Sequence, residues 1–279
     1  MLKYELGLIA GGGLADEFTT SAAYDETDAE FIPRFALIYT PNANHVFKAL
    51  YGKAINRPSF FQVQDILSGY DPLVPESIQT IELNYIGSLS PKFTLSLSLF
   101  RNMLDKLIFR TLTLIGGELV NYHANVGEMT TNGVEVTLNA KPSKNFRFEL
   151  SGTYQDTKDE RFTDIEVGYS PKFLGYMKAA YNFNKDVSFA VTGNYVGEME
   201  SFYDETIGSQ LGLKVDGYFL LGANLRIRNL FGKGMFLNIK GSNLLDQEIH
   251  YPTTSNNDWA DRGTLGRGLS FLLTLGWKF

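Results

Sequence analysis

The sequence of 279 residues contains no cysteine, and no run of apolar residues approaches the roughly 18 that a transmembrane helix needs. The missing cysteines exclude a disulfide scaffold and a thiol nucleophile. The first residues, MLKYELGLIAGGG, lack the basic segment and the long apolar core of a secretory signal peptide. Acidic residues outnumber basic ones, and the net charge of −6 argues against nucleic acid as a partner.

Helical periodicity is also missing, because no apolar stripe of useful length recurs every three to four residues. Period-two alternation takes its place. Residues 146–155 put Phe, Phe, Leu, Gly and Tyr on one side and Arg, Glu, Ser, Thr and Gln on the other. Segments of this kind predict about twelve β-strands, at residues 2–11, 33–41, 45–55, 76–88, 91–109, 126–141, 145–157, 172–183, 186–198, 214–229, 234–244 and 267–279.

The predicted connections alternate between short and long. Short turns are expected at 40–44, 88–91, 142–144, 182–186 and 231–234. Long connections are expected near 12–32, 56–75, 110–125, 158–171, 199–213 and 245–266. Outer-membrane β-barrels combine short periplasmic turns with longer extracellular loops in this way.

A soluble β-sandwich also alternates, with one face in the core and the other in water. Three features favour a membrane barrel instead. The strands reach the roughly 9–11 residues that a tilted bilayer span needs, and the loops follow the long–short rhythm. The third feature is the C-terminal strand, whose aromatic ending resembles the recognition signal of the outer-membrane assembly machinery. Its apolar side chains all point one way, at Leu269, Phe271, Leu273, Leu275, Trp277 and Phe279.

These features predict an all-β fold, an antiparallel transmembrane β-barrel of about twelve strands, with residues 1–279 in a single barrel domain. Four segments then resemble one known family in order along the chain. They are PRFALIYTPNANHVFKALYGKAINRPSFFQV (33–63), LVPESIQTIELNYIG (73–87), TNGVEVTLNAKPSKNFRFELSGTYQDTK (131–158), and KGSNLLDQEIHYP with GRGLSFLLTLGWKF (240–252 and 266–279).

The family is that of the TonB-dependent outer-membrane receptors. Each motif is a weak pattern by itself, but four in the right order over almost the whole chain are specific. The positions that match the family's motifs are Pro33, Arg34, Arg57, Pro58, Pro75, Glu76, Glu82, Gly133, Glu135, Asn243, Leu244, Asp246, Gly266, Arg267 and Phe279.

The resemblance implies a barrel of about 22 strands around a plug domain. With about twelve strands and no plug, the chain is expected to be the C-terminal half of such a receptor. The implied function is TonB-dependent uptake of a scarce nutrient, with a ferric siderophore as the family's commonest cargo. The implied partners are outer-membrane lipid and lipopolysaccharide, the plug domain, the TonB system and a small-molecule ligand, and the implied location is the bacterial outer membrane.

The sequence predicts no enzyme, no cofactor and no metal site. His45, His123 and His250 are not accompanied by any HExxH, CxxC or EF-hand pattern. The alternative is a self-contained twelve-stranded outer-membrane pore or phospholipase-like enzyme. For a hydrolase, His123 beside Asn121 and Asn125 is the only suggestive cluster, and no serine stands in a recognisable nucleophile context.

Overall fold

The computed structural model describes residues 3–7, 31–64, 71–231, 234–255 and 258–277. These residues form one short helix, α1 (Phe60–Gln64), and the following strands: β1 (Lys3–Gly7), β2 (Arg34–Asn42), β3 (His45–Asn56), β4 (Glu76–Ser90), β5 (Phe93–Ile115), β6 (Glu118–Ala140), β7 (Phe146–Asp159), β8 (Phe173–Asn182), β9 (Val187–Val196), β10 (Tyr203–Asp204), β11 (Ser209–Gln210), β12 (Tyr218–Leu230), β13 (Met235–Ser242), β14 (His250–Tyr251), β15 (Thr264–Leu265) and β16 (Ser270–Trp277).

Twelve of these strands form a single sheet in the order β1-β2-β3-β4-β5-β6-β7-β8-β9-β12-β13-β16. Every neighbouring pair is antiparallel. The remaining strands form two small hairpins, β10-β11 and β14-β15, within the long connections. Each predicted strand therefore has a counterpart in the main sheet. The predicted all-β antiparallel fold is confirmed.

Alternation divides the sheet into an apolar face and a polar face. One row of the apolar face runs Leu37–Ala49–Leu83–Leu99–Val134 across five paired strands. The row beside it runs through the polar face and contains Lys48, Asn84, Ser98, Glu135 and Thr153. Successive side chains of a strand point to opposite faces, so paired strands can place their apolar side chains on one face of the sheet and their polar side chains on the other.

The apolar face is exposed rather than packed into a core. Leu83 is 55% exposed, Leu99 50% and Leu273 67%, although all three lie within strands of the main sheet. In water such a continuous surface of aliphatic and aromatic side chains would drive association. In a membrane barrel the same face meets lipid and the polar face lines the lumen.

The expected long connection at 110–125 is wrong. β5 and β6 continue through it as one long hairpin that turns at Gly116 and Gly117, whose φ angles are +62° and +91°. Two successive positive φ angles suit a tight hairpin turn, and glycine adopts them without steric cost. The Gly-Gly pair is a hairpin signal, so the sequence did contain the information that this region is paired.

The other long connections are folded in part. Residues 56–75 include α1, while 199–213 and 245–266 contain the β10-β11 hairpin and the β14-β15 hairpin. The predicted connection at 12–32 lies almost wholly outside the described residues. No helix in the described part of the chain is long and apolar enough to cross a membrane.

Substitutions on the two faces of β6 test which face of the sheet meets lipid. Val136 lies on the apolar face and is 41% exposed, whereas its neighbour Thr137 lies on the polar face. We expect Val136→Arg to destabilise the folded barrel by about 2–4 kcal/mol, the cost of a cation on the lipid face near the bilayer midplane. Thr137→Arg serves as the matched control and should cost far less. Denaturant unfolding in liposomes measures both, and equal costs would contradict the assignment of the faces.

Candidate functional site

The long connections at one end of the sheet are tied together by their backbones. We call residues 160–172, 197–217 and 243–269 (without 256–257) the loop cluster. The Tyr169 amide donates to the Glu200 carbonyl (3.1 Å), the Phe202 amide to the Thr253 carbonyl (3.1 Å), and the Leu213 amide to the Asp261 carbonyl (2.6 Å). Each bond joins two different connections, so the loops support one another.

Two buried hydroxyls reinforce this arrangement. Ser201 and Thr253 are both completely buried. The Ser201 hydroxyl donates to the Gly212 carbonyl (2.7 Å) and accepts from the Gly212 amide (2.9 Å). A Cβ atom at Gly212 would lie only 2.6 Å from the Thr253 Cβ, so the close approach of the two segments requires glycine. The Ser201 hydroxyl thus has both a donor and an acceptor partner inside the cluster.

A small apolar core joins the loop cluster to the sheet. It consists of Met199, Val215, Tyr218 and Ile249, packed against the partly buried Val196 and Leu220. Met199 and Val215 also exchange both backbone hydrogen bonds (3.1 and 2.9 Å), which extends the pairing of β9 and β12 beyond their ends. The loops therefore continue the strand ladder instead of beginning where the sheet stops.

Arg161 connects the cluster to the β5-β6 hairpin. Its guanidinium forms a bidentate pair with Asp159 (3.0 and 2.6 Å) and a second ion pair with Glu205 (2.7 Å). It also lies over the rings of Phe109 and Phe162, 5.0 and 5.1 Å from their centroids. A planar guanidinium can satisfy two carboxylates and stack on aromatic faces at once, which an ammonium cannot do.

A cavity of about 640 Å³ lies beside Arg161, between the hairpin and the loop cluster. Its volume falls within the range of small-molecule binding sites. The cavity is lined by aromatic rings, by Arg110 and Arg161, and by acidic and hydroxyl groups. The aromatic residues are Phe109, Phe162, Tyr169, Phe202 and Tyr203. Such a lining suits an aromatic ligand that carries hydrogen-bonding oxygens.

Lys214 is the centre of a second charged network. Its ammonium lies 2.7 Å from Glu198, 3.3 Å from Glu200 and 3.7 Å from Glu166, and Glu166 in turn pairs with Lys172. The hydrogen bond with Glu198, together with the other carboxylates, raises the pKa of Lys214. The hydrogen bond from Lys172 lowers the pKa of Glu166. Because these side chains are largely solvated, each pair contributes little alone, but together they bridge two connections.

The C-terminal motif positions come together at the base of the loop cluster. Asn243 is 4% exposed, and its side-chain amide donates to the carbonyls of Gln247 (2.9 Å) and Arg267 (3.3 Å) and accepts from the Gln247 amide (3.0 Å). Asp246 accepts from the Leu269 amide (2.9 Å). These bonds position the start of β16.

The remaining residues of this motif join the same corner through their backbones. The Leu244 amide donates to the Leu221 carbonyl and the Gly266 amide to the Ile249 carbonyl, each at 2.8 Å. Asn243 and Asp246 have φ angles of +50° and +48°, a conformation that asparagine and aspartate tolerate better than most residues. Phe279 lies outside the described residues.

Pro75 and Glu76 lie beside the point where the β5-β6 pairing is irregular, between Leu104 and Ile108. Glu76 accepts from the Ile108 amide (2.7 Å) and from the Asn56 side chain (2.8 Å). Asn125 donates to the Lys106 carbonyl (2.6 Å) and exchanges two bonds with the backbone of Val74 (2.8 and 2.9 Å). These side chains supply hydrogen bonds where the ladder does not.

The other motif positions are distributed along the sheet. The buried Pro33 accepts from the Lys53 amide (3.0 Å), and Arg34 begins β2, while Arg57 and Pro58 follow the end of β3. Glu82 and Glu135 lie on the polar face. The Phe100 ring covers Gly133, where a Cβ would collide with it. The motif positions that the structure describes therefore lie in separate places and form no single site.

The histidines do not form a site either. His45 hydrogen-bonds the Tyr85 hydroxyl through Nδ1 (2.9 Å), and His250 pairs with Glu248 (2.8 Å). His123 pairs with Arg110 in the β5-β6 ladder, and the amide of Asn125 is engaged by backbone groups as described above. Within the described ranges no three His, Asp or Glu residues are grouped so as to hold a metal ion.

Arg161, Lys214, Ser201 and Thr253 were not singled out from the sequence. Arg161, Ser201 and Thr253 lie in segments predicted as loops, and Lys214 begins the strand predicted at 214–229; no local pattern distinguishes any of them. Their partners are distant along the chain, as with Arg161 and Glu205. The one available signal was composition, since 158–172 and 198–216 mix acidic and basic residues more densely than the strands do.

The fold and its loop cluster define the class: an antiparallel membrane β-barrel with folded loops at one end. The TonB dependent receptor-like, beta-barrel family matches residues 3–244. The chain belongs to this family of outer-membrane receptors and transporters.

Solved structures share the fold at low sequence identity. The ferric enterobactin receptor PfeA of Pseudomonas aeruginosa has a TM-score of 0.73 and 18% identity over 88% of this chain. The ferric-catecholate import receptor Fiu of E. coli K12 has a TM-score of 0.69 and 17% identity over 98% of it. The FrpB iron transporter of Neisseria meningitidis has a TM-score of 0.70 and 17% identity over 90%. This chain spans 40% of the length of each of these three proteins.

We expect Asn243→Ala to destabilise the corner that holds β16. The change removes three hydrogen bonds from a buried group and places alanine at a positive φ, so the cost should be about 1–3 kcal/mol. Asn229→Ala is the matched control, because Asn229 also has a positive φ (+50°) but donates a single exposed bond, to Asp186. Hydrogen exchange of residues 266–277 should accelerate in Asn243→Ala alone; equal acceleration in both variants would refute this role.

The Lys214 network should weaken on acidification. The folded-state pKa of Glu166 is lowered, so its contribution is fully present above the ordinary glutamate pKa of about 4.3 and is lost as pH falls through the lower folded value. We expect hydrogen exchange in 160–172 and 197–217 to accelerate, relative to the strands, as the pH falls below about 4.3. Glu166→Gln should show the faster exchange already at neutral pH. An unchanged pH profile in that variant would show that Glu166 is not responsible.

Proposed function

We propose that this chain forms the barrel part of an outer-membrane receptor for TonB-dependent uptake of a scarce nutrient, with a ferric siderophore as the expected cargo. The observation that carries the proposal is the family match over residues 3–244, combined with a ligand-sized cavity between the β5-β6 hairpin and the loop cluster. The loop cluster would then lie on the extracellular side, where ligand arrives, and the short turns would face the periplasm.

The expected cargo rests on two considerations. The three solved relatives named above are described as receptors or transporters of ferric catecholates, ferric enterobactin and iron. The cavity beside Arg161 presents several aromatic rings and Arg110 together with four carboxylates, those of Asp159, Glu166, Asp204 and Glu205. The rings suit an aromatic ligand, and Arg110 is the group that would pair with its anionic oxygens. At below 20% identity the relatives support the fold, and their cargo is transferred to this chain only as a proposal.

The working transporter is proposed to contain more than the residues described here. In the described part of the sheet, β1 and β16 each have a neighbour on one side only. Unpaired strand edges are costly in lipid, because each unsatisfied peptide group costs several kcal/mol there. Further strands and a plug domain, coupled to the inner-membrane TonB system, would complete the barrel and its transport activity.

The location follows from the same reasoning. An exposed apolar face around the sheet, charged loops at one end and short turns at the other are the arrangement of bacterial outer-membrane barrels. We propose that the protein resides there, with lipopolysaccharide around the loop end. In this role the protein binds and moves its ligand without changing it covalently.

The cavity can be tested with a ferric catecholate complex as the probe. We expect the full-length protein to bind the probe with quenching of intrinsic fluorescence, and Phe162→Ala to weaken binding roughly tenfold, or about 1.4 kcal/mol. Phe183→Ala is the matched control, because Phe183 is 59% exposed and lies in the short connection after β8. Its loss should leave binding unchanged.

Growth under iron limitation completes this test. Deletion of the gene should slow growth on the ferric catecholate, and the wild-type gene should restore it. Stable single-channel conductance or phospholipid hydrolysis by the purified protein, without ligand binding, would instead support the self-contained pore or enzyme.

A further inference from the structure

A groove of about 320 Å³ lies on the apolar face, across β2 to β5. Its floor is Ala49, a small residue placed between Leu37 and Leu83 in the paired row. Leu97 and Leu99 form the far wall. The exposed surface of the groove is almost entirely carbon, and Leu37, Leu83 and Leu99 are each about half exposed. A depression of this kind is lost when the central residue of the row is large.

Aromatic side chains close the end of the groove that points to the short turns. The rings of Tyr39 and Phe47 lie 6.3 Å apart, and those of Phe47 and Tyr85 lie 5.0 Å apart. Tyr85 is held by its hydrogen bond to His45, and its ring lies over Gly87, where a Cβ would collide with it. The hydrogen bond and the glycine together give this end of the groove a defined shape.

Basic residues lie just beyond this end. Lys92 and Lys141 are neighbours, since the Lys141 amide donates to the Lys92 carbonyl (2.7 Å), and Lys144 lies in the same turn as Lys141. The turns at 40–46, 88–94 and 139–147 contain no carboxylate side chain. Within the described residues none of the three lysines forms an ion pair. The turn end of β2 to β7 therefore carries an uncompensated positive charge.

The distance between the groove and the lysines matches one lipid leaflet. Leu97 is five residues from Lys92 along β5 and its turn. With a rise of about 3.3 Å per residue and a strand tilt of about 40°, the two lie about 13 Å apart along the membrane normal. Half of the hydrocarbon core of a bilayer is about 15 Å. A headgroup at Lys92 would therefore place its acyl chain in the groove.

We propose that the groove and the basic turns together bind one anionic phospholipid, with an acyl chain over Ala49 and the phosphate-bearing headgroup beside Lys92 and Lys141. The groove supplies shape and the lysines supply charge selectivity, because juxtamembrane lysines attract anionic headgroups. The occupant is a phospholipid of the leaflet on the short-turn side. The inference rests on the proposed location in the outer membrane. Cell fractionation tests that location separately, because absence of the protein from the outer-membrane fraction would refute the location independently of lipid binding.

The experiment counts bound lipids by native mass spectrometry. The full-length protein is extracted from its membrane in mild detergent and titrated with phosphatidylglycerol or phosphatidylcholine of the same acyl chains. We expect one phosphatidylglycerol to bind tightly to the wild type and phosphatidylcholine to bind more weakly. Ala49→Phe should abolish this tight site. The double change Lys92→Gln and Lys141→Gln should weaken phosphatidylglycerol binding roughly 25-fold, about five-fold per lysine, and leave phosphatidylcholine binding unaffected.

Two controls keep the result interpretable. Ala179→Phe places the same bulk on the apolar face of β8, where Ala179 pairs with Phe148 and Val191, away from the groove. Lys185→Gln removes a turn lysine that lies next to Asp186. Neither should change lipid binding. Equal retention of the two lipids by the wild type, or equal loss in the controls, would overturn the proposal. Should Ala49→Phe fail to fold, the surface double variant still decides the matter.

Discussion

Every peptide group that enters lipid must find its hydrogen-bond partner within the protein, and the rest of this structure depends on that constraint. The main sheet meets it from β2 to β13, where each strand is paired on both sides. Where the strand pairing is irregular, side chains form hydrogen bonds with the backbone groups. Glu76 accepts from the Ile108 amide, and Asn125 satisfies the backbone of Lys106 and Val74. Once the backbone is satisfied, side chains are free to divide by face, apolar outside and polar inside.

Much of the sheet could be predicted from the sequence, because apolar and polar residues alternate along each strand with a period of two. The segment expected at 45–55 is found at His45–Asn56, and the one expected at 186–198 is found at Val187–Val196. The largest error is at 110–125, which was expected to be a long connection but continues the pairing of β5 and β6. Residues 111–114 and 120–125 still alternate apolar and polar side chains, and the Gly116-Gly117 pair marks the turn between them.

The loop cluster could not be predicted to the same degree. Arg161 with Glu205, and Ser201 with Gly212, are partners that only the folded chain brings together. The described residues that match the family's motifs lie in separate places rather than in one shared site. Asn243, Asp246 and Glu76 accept hydrogen bonds from backbone amides at corners of the sheet. These motif residues therefore stabilise the barrel, and they do not identify the cargo.

The irregular pairing between Leu104 and Ile108 has a consequence for how the β5-β6 hairpin can vary. On the side of the short turns, β5 and β6 are also paired with β4 and β7, and these neighbours fix their register. Toward Gly116 and Gly117, β5 and β6 pair, among the described strands, only with each other. The hydrogen bonds of Glu76 and Asn125 hold the backbone at the boundary between these two parts. Residues can therefore be inserted or deleted at the Gly-Gly tip without rotating a single lipid-facing side chain. A foreign peptide inserted at this tip would therefore leave the paired strands of the sheet in register.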